Sequence, residues 1–289
     1  MKTQIYFLIS AILLFACQPQ SPQLEEKLTE VSTDSTQYFR DLDSVEILKA
    51  MIYDSIPDPK KVIVKSLVIS SMSAWTGKDE TQFYNIAGVF PYHFKDKKPQ
   101  NAVVVIAEYH GEKIGNSYEI MDDESSGPTL FYGIYAYKEN KGWYLQKKCS
   151  KDFVERFWNF GYNGVMGDID LVQVGKDQYG LALSSYYSGQ GYESEGITFY
   201  DIGQEREIFG LSETTSNSGA VENEDEAYAF SFLCAFIPSD KDFFDMQVTY
   251  EGTHDADSED DDSMSKVEPF KKTVRYSYDK ISGKYVENQ

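Results

Sequence analysis

Four side chains near residue 190 are of the types that bind sugars or peptides. Tyr186, Tyr187, Gln190 and Tyr192 flank a glycine-bounded turn, Ser188 to Gly191. Tyrosine rings stack on the apolar faces of sugars, while neighbouring amide and carboxylate groups bind hydroxyls. We interpret the stretch as a candidate surface for a glycan or protein ligand. Sheet packing is the alternative, because tyrosine is also common in strands.

Acidic residues form a second group with possible chemistry. The densest acidic segment contains the candidate calcium ligands Asp255, Asp257, Glu259 and Asp261. Oxygen-rich loops bind Ca²⁺, but an EF-hand loop starting at Asp255 needs glycine at its sixth position and glutamate at its twelfth. Asp260 and Lys266 stand there instead. The segment therefore predicts either a solvated, self-repelling loop or weak calcium binding.

Paired carboxylates raise the possibility of acid–base catalysis on glycans. Asp168 with Asp170, and Glu193 with Glu195, are the pairs that a glycoside hydrolase would use. However, the chain has no HExxH, no Gly-x-Ser-x-Gly and no phosphate-binding loop. The sequence therefore favours a non-catalytic binding or structural module. A secreted glycan-processing hydrolase and a calcium-stabilised β module are the alternatives.

Histidine offers little further chemistry, since the chain has only 3. Glu108 and His110 lie two apart at the end of a predicted strand, where they share one face, and Glu112 follows. They could bind zinc or act as base and orienter. The simpler interpretation is a strand that leaves the core with its polar residues pointing to water. His93 lies among aromatic residues, which favours packing over catalysis.

The N-terminus has the pattern of an export signal. Lys2 precedes an apolar run from Ile5 to Phe15, which is shorter than the ~20 residues of a membrane span. The run ends in Leu14-Phe15-Ala16-Cys17, which resembles the lipobox of bacterial lipoproteins, although Phe15 is larger than usual. The resemblance implies cleavage before Cys17 and attachment of lipid, including palmitate, to that residue. An ordinary secretory signal is the alternative.

The domain organisation follows from this leader. We expect a signal peptide over residues 1–16, a flexible tether over 17–37 and one β-rich domain over 38–289, with a possible subdivision near residue 150. The tether is rich in Gln, Pro, Ser and Glu, which do not bury enough apolar surface to fold. Gln18 replaces the Asp that marks inner-membrane retention in enterobacteria-like sorting. The outer membrane of a bacterial cell envelope is therefore the favoured location.

The net charge of the chain limits the classes of partner that it can bind. The 47 acidic and 27 basic residues give a net charge of −20, which repels phosphate backbones and argues against nucleic acid. The predicted partners are the membrane, through lipid on Cys17, and an unknown glycan or protein ligand.

Cys149 and Cys234 could form a disulfide outside the cytosol. Apolar neighbours of Cys234 favour a buried thiol instead.

Strand and turn signals recur every 8–12 residues or so, which is typical of a sandwich or barrel. The clearest are three strands over Asp170–Val174, Tyr179–Tyr187 and Ile197–Ile202, joined by turns with Gly and Asp. A hairpin turn is predicted at residues 139–142. The predicted fold class is mainly β, an antiparallel sandwich or barrel-like meander with one or two short helices, the first over Asp41–Met51.

Two further segments carry specific expectations. Tyr228 to Ile237 is almost continuously apolar, which predicts a strand buried on both faces. Asn163-Gly164 with Asp168 to Val172 resembles the FG-GAP/VCBS type of β-propeller repeat, in which Asp-rich turns bind calcium. The Asp residues that this repeat usually places ahead of its glycine are absent here. The resemblance implies a partial β-propeller as the alternative fold.

Overall fold

The structure is a computed structural model of the 289-residue chain. It describes residues 36–52, 61–63, 66–72, 79–114, 117–120, 128–156, 167–221, 226–255 and 267–288. The described residues are mainly β, with three antiparallel sheets and two short helices, which confirms the predicted fold class. Residues Gln37–Gln289 form one compact unit. The leader and Cys17 lie outside the described residues.

The first sheet has eight strands: β1 (Tyr38–Phe39), β2 (Lys61–Ile63), β3 (Ser66–Met72), β4 (Asp79–Lys95), β5 (Lys98–Ile114), β6 (Ser117–Ile120), β7 (Thr129–Lys138) and β8 (Gly142–Lys148). Their order is β1-β8-β7-β5-β4-β3-β2, with β6 on β5. Val103 and Val105 pack into a first core on one face, and Val104 and Ile106 into a second core on the other. Burial on both faces explains the apolar run in β5.

Two helices cover parts of this sheet. Helix α1 (Val45–Ile52) contributes Ile47 and Leu48 to the second core, and it begins later than the predicted Asp41. Helix α2 (Lys151–Arg156) is the second short helix. Its Phe153 is fully buried, with its ring 4.8 Å from that of Tyr132 in the first core.

The second and third sheets are four-stranded meanders: β9 (Ile169–Gly175), β10 (Gln178–Gly189), β11 (Tyr192–Asp201) and β12 (Arg206–Ser216), then β13 (Phe230–Ile237), β14 (Asp245–Asp255), β15 (Val267–Asp279) and β16 (Lys284–Glu287). Neighbours along the chain are neighbours in each sheet. The second sheet lies between the other two, because Leu181 and Leu183 enter the first core whereas Ala182 and Phe199 enter a third core. The three sheets are open and stacked, as in a sandwich.

Hydrogen bonds join the second and third sheets at one end of the stack. The backbone N–H of Phe244 donates to the carbonyl of Val174 (2.8 Å), and that of Lys176 donates to Lys241 (3.1 Å). The buried hydroxyl of Tyr285 donates to the carbonyl of Phe244 (2.8 Å). These contacts fix how the third core is closed at that end.

Turn chemistry places the hairpins where the sequence predicted them. Asn140 and Gly142 have φ values of 64° and 102°, in the turn between β7 and β8. Asp177 (φ 58°) lies between β9 and β10. Asn, Asp and Gly tolerate this left-handed backbone better than other residues, so local sequence determines these turns.

One sequence expectation is wrong. Strand β13 is not buried on both faces, since exposed and half-buried residues alternate along it and it forms the edge of its sheet. A run of apolar residues does not distinguish a central strand from an edge strand. The propeller alternative rests partly on residues 163–166, which lie outside the described part of the chain.

Candidate functional site

The hairpin of β10 and β11 carries the four predicted ligand-binding residues. Its two-residue turn is Gln190-Gly191, with φ values of 53° and 84°. Positive φ at both positions matches the twist of the flanking strands. Tyr186, Tyr187 and Tyr192 are 47%, 43% and 45% exposed. The packing alternative required the sheet to bury these three rings, and the sheet does not bury them.

The register divides these side chains between the two faces of the sheet. Tyr187 lies opposite Ser194 and Gly189 lies opposite Tyr192, on the face that Leu183 shares with the first core. Tyr186 points the other way, because successive side chains of a strand alternate. We call Tyr187, Tyr192 and the hydroxyl residues Ser185 and Ser194 the tyrosine face.

A glycine shapes the tyrosine face. A Cβ on Gly189 would lie 2.8 Å from Cζ and 3.2 Å from Cε1 of Tyr187, so the Tyr187 ring lies across the place where a side chain would be. Gly189 is paired with Tyr192 on the adjacent strand. The missing side chain therefore lets one ring lie along the strand beside the second tyrosine. Two exposed tyrosines therefore lie on one face at the tip of the hairpin.

The opposite face of the hairpin is acidic. Glu195 lies opposite Tyr186 on β10 and opposite Glu213 on β12, and Glu193 lies two residues away on the same face. Burial, and secondly the charge of Glu193, raise the pKa of the Glu195 carboxyl. Burial, a hydrogen bond to Glu193 and the nearby carboxylates raise the pKa of Tyr186, while a hydrogen bond to Ser188 lowers it. We call Tyr186, Glu193, Glu195 and Glu213 the acidic face.

The end of β12 and the segment after it hold the tip of the hairpin in place. The backbone N–H of Gly219 donates to the carbonyl of Gly191 (3.0 Å). The hydroxyl of Thr215 donates to the carbonyl of Glu193 (3.4 Å), and Thr215 is itself buried. The tip is thus a braced element, which favours a preformed binding surface over a free loop.

The other predicted carboxylate pair lies at the start of β9. The side chains of Asp168 and Asp170 are both exposed. Partial desolvation of the Asp170 carboxyl, and secondly the charge of Asp168, raise its pKa. Asp170 pairs with Ala182, which belongs to the third core. Both carboxylates therefore share the face of the second sheet that carries the acidic face, but Glu195 is two strands away.

Glu108 is buried, which corrects the expectation that it points to water. It is 7% exposed and pairs across the strands with Tyr84, whose hydroxyl hydrogen-bonds to it. Burial, and secondly the charge of Glu108, raise the pKa of Tyr84. This pair is a buried polar contact beside the second core. The structure does not describe the side chains of His110 and Glu112.

His93 packs among aromatic rings, as expected. Its ring lies 4.7 Å from that of Tyr92 and 5.0 Å from that of Tyr179. Its φ is 50°, so the strand is locally irregular at this position. The arrangement is a packing contact between the first two sheets.

The calcium prediction stays a prediction. Asp255 is the last residue of β14 and its side chain is not described, while Asp257, Glu259 and Asp261 lie outside the described residues. Within the described ranges, no group of three or more His, Cys, Asp or Glu side chains is arranged to hold a metal ion.

The two body cysteines are free thiols in different places. Cys149 packs against the first core, where its sulfur accepts a hydrogen bond from the backbone N–H of Tyr132 (3.3 Å). Cys234 packs against the third core. Burial raises the pKa of Cys149 to about 11 and that of Cys234 to about 12. The predicted disulfide alternative is therefore not what the structure shows.

Sequence reasoning missed two residues of the candidate site. Glu213 is 18 residues from Glu195 and meets it only through the pairing of β11 with β12. Gly189 was interpreted only as part of the turn, whereas it makes room for Tyr187. The alternation of side chains along a strand was the available signal, since it separates Tyr186 from Tyr187.

Comparison with known proteins gives no assignment: no family model, curated protein or solved structure matches the chain.

Proposed function

We propose that the protein is a lipoprotein of the bacterial cell envelope whose body binds a glycan, without catalysis, through the tyrosine face. The observation that carries the proposal is the presence of two exposed tyrosines, Tyr187 and Tyr192, on one face of a braced hairpin. A protein ligand is the alternative occupant of the same surface.

The chemistry of the tyrosine face favours a sugar. Its rings offer apolar surface for stacking. The hydroxyl of Ser185 can donate or accept a hydrogen bond, and that of Ser194, which donates to Thr214 (3.4 Å), can accept one. The carboxylates of Glu193 and Glu195 lie on the opposite face of the strands. A neutral, aromatic and hydroxyl-bearing surface matches an uncharged glycan better than a charged peptide.

The anchoring part of the proposal depends on the leader. The short apolar run before Cys17 and the lipobox pattern support lipid attachment at that residue. In the part of the chain that the structure describes, no helix has the length and hydrophobicity to cross a membrane. The outer membrane is the proposed location, because Gln18 follows the cysteine.

Binding to glycans tests the function. We would measure binding of the full chain to purified peptidoglycan sacculi and to soluble β-linked N-acetylglucosamine oligomers. Tyr187→Ala and Tyr192→Ala should each weaken binding about tenfold, the equivalent of ~1.4 kcal/mol. Phe94→Ala is the matched control, since Phe94 is 62% exposed next to the turn between β4 and β5. Equal losses in all three variants, or no binding to any glycan, would contradict the proposal.

Labelling with palmitate tests the anchor separately. The wild-type chain should incorporate the label and fractionate with membranes, and Cys17→Ala should do neither. Equal labelling of both chains would contradict the proposed lipid anchor but would not bear on the proposed glycan-binding surface.

One observation favours a hydrolase as the second candidate. Glu193 and Glu195 share a face, and the pKa of Glu195 is raised, as in a general acid. Release of reducing ends from the same glycans, lost in Glu195→Gln, would establish this activity. Binding without release supports the non-catalytic proposal.

A further inference from the structure

Strand β13 is an edge strand, and only its start, beside the bridge between Ser216 and Ala229, is covered by another strand. Its sequence, Phe-Ser-Phe-Leu-Cys-Ala-Phe-Ile, has no charge and no proline over eight residues. The outward side chains Leu233 and Ile237 are 42% and 39% exposed. Natural sheets usually shield such edges with charges, prolines, bulges or very short strands, because an open edge pairs with other chains.

The other sheet edges differ from β13. Strand β12 carries Glu207 and Glu213, β16 carries Lys284 and Glu287, and β9 carries Asp170. At the ends of the first sheet, β1 has only two residues and β2 has three, with a lysine at its start. Among the described strands, β13 is the long, uncharged edge.

The hydrogen bonds at the start of β13 show which backbone groups face the open side. The N–H of Thr253 on β14 donates to the carbonyl of Ala229 (2.8 Å). The adjacent Tyr228 bonds in the other direction, to Asn217, through its N–H (2.7 Å) and its carbonyl (3.4 Å). Because antiparallel pairs alternate, the N–H and C=O groups on the open side belong to Phe230, Phe232, Cys234 and Phe236.

Two acidic side chains next to this edge are paired within the chain. On β14, Asp245 pairs with Lys241 (2.7 Å) and Glu251 pairs with Lys271 (2.8 Å). The chain as a whole carries −20, so two copies repel each other over most of their surface. An uncharged strand beside internally paired charges is where that repulsion is weakest.

We propose that β13 pairs antiparallel with β13 of a second copy of this chain, joining two four-stranded sheets into one of eight. The register with Leu233 on the two-fold axis uses all four open residues. It pairs Phe230 with Phe236 and Phe232 with Cys234 across the axis, giving about eight backbone hydrogen bonds. A register centred on Cys234 loses one pair, because Pro238 would face Phe230 and has no N–H.

This register also buries exposed apolar surface. The two Leu233 side chains become directly opposed on the outer face of the joined sheet, as a pair without hydrogen bonds between them. The Cα atoms of such a pair are ~4.5 Å apart, and their side chains touch. The same separation is within the range of a disulfide.

Cross-linking tests the pairing and its register. In the full chain, Leu233→Cys should form a disulfide-linked dimer under mild oxidation, seen on a non-reducing gel. Val286→Cys is the matched control, because Val286 is 45% exposed on β16, the opposite edge of the same sheet. No more dimer from Leu233→Cys than from the control or the wild type would overturn the proposal.

Sedimentation tests the dimer without added cysteines. The wild-type full chain in density-matched detergent should have twice the chain mass, and Leu233→Lys should halve it, because two ammonium groups would be directly opposed. Val286→Lys should leave the dimer intact. Unchanged circular dichroism of Leu233→Lys excludes unfolding as the cause. A monomeric wild type at 100 μM, with or without a bound heterologous protein, would overturn pairing with a second copy.

Discussion

Glu195 lies directly opposite Tyr186 on one side and Glu213 on the other, in the middle of the acidic face. Like charges in opposed positions of a sheet destabilise it. Burial and Glu193 raise the pKa of the Glu195 carboxyl, so the folded state disfavours its ionised form. The hairpin that presents the tyrosine face therefore carries an electrostatic cost on its other face.

The first prediction concerns the pH dependence of stability. Because the folded pKa of Glu195 exceeds its unfolded value of about 4.3, the stability this group contributes is complete below that pH. It is lost as the pH rises through the folded pKa. Glu195→Gln should therefore be more stable than the wild type at pH 7 and equal to it near pH 3. Urea unfolding at both pH values measures this difference.

Glu251→Gln is the control for this measurement. Glu251 is exposed and paired with Lys271, and a surface ion pair of this kind contributes little. We expect its effect on the unfolding free energy to be small at both pH values. Glu195→Gln that is no more stable than the wild type at pH 7 would contradict the electrostatic account of the acidic face.

A second prediction concerns the close approach of Gly175 to the segment before β14. A Cβ on Gly175 would overlap the carbonyl oxygen of Asp242 and lie 2.9 Å from Cα of Phe243. Both of these atoms belong to the backbone, so relieving the overlap requires a shift of the main chain. Gly175→Ala should lower the unfolding free energy by about 2 kcal/mol or more, measured by urea unfolding.

Gly210 is the control glycine, since the nearest atom to its Cβ position is a side-chain oxygen of Glu207 at 3.4 Å. Gly210→Ala should be neutral or slightly stabilising, because it restricts the unfolded chain. Equal stability of the two alanine variants would show that the second and third sheets do not depend on the contact at Gly175.

Local sequence predicted the turns of this fold well. Asn140, Asp177 and Gly191 all adopt positive φ in turns that the sequence placed there. These residue types tolerate the left-handed backbone intrinsically. The turns can therefore be predicted without information from distant parts of the chain. For the same reason the first two strands of the central segment were predicted with nearly correct bounds, whereas β11 begins at Tyr192 and not at the predicted Ile197.

The sequence did not show which distant segments of the chain pair with each other. Glu108 was expected to point to water, but Tyr84 on the neighbouring strand binds and covers it. Strand β13 was expected to be buried on both faces, whereas it is an edge strand with one exposed face. Glu213 reaches Glu195 only through sheet register. Burial and neighbours depend on strand order, which local periodicity does not determine.

A third prediction concerns the buried hydroxyl of Tyr285. It donates to the carbonyl of Phe244 (2.8 Å) and lies 3.3 Å from the carbonyl of Val174 on β9. Tyr285→Phe keeps the ring but removes this donor, which should cost about 1 kcal/mol of unfolding free energy in urea. Tyr137→Phe, at a ring that is 39% exposed, should change stability by less than ~0.5 kcal/mol.

The last prediction concerns the reactivity of the two body thiols. With pKa values of about 11 and about 12, Cys149 and Cys234 are ionised at pH 8 to roughly one part in a thousand or less. Because the thiolate is the reactive form, neither should be alkylated by iodoacetamide within minutes in the folded chain. Both should react fully in 6 M guanidinium, which mass spectrometry of peptides would show. Rapid native alkylation of Cys149 would mean that its hydrogen bond from Tyr132 and its packing against the first core do not persist in solution.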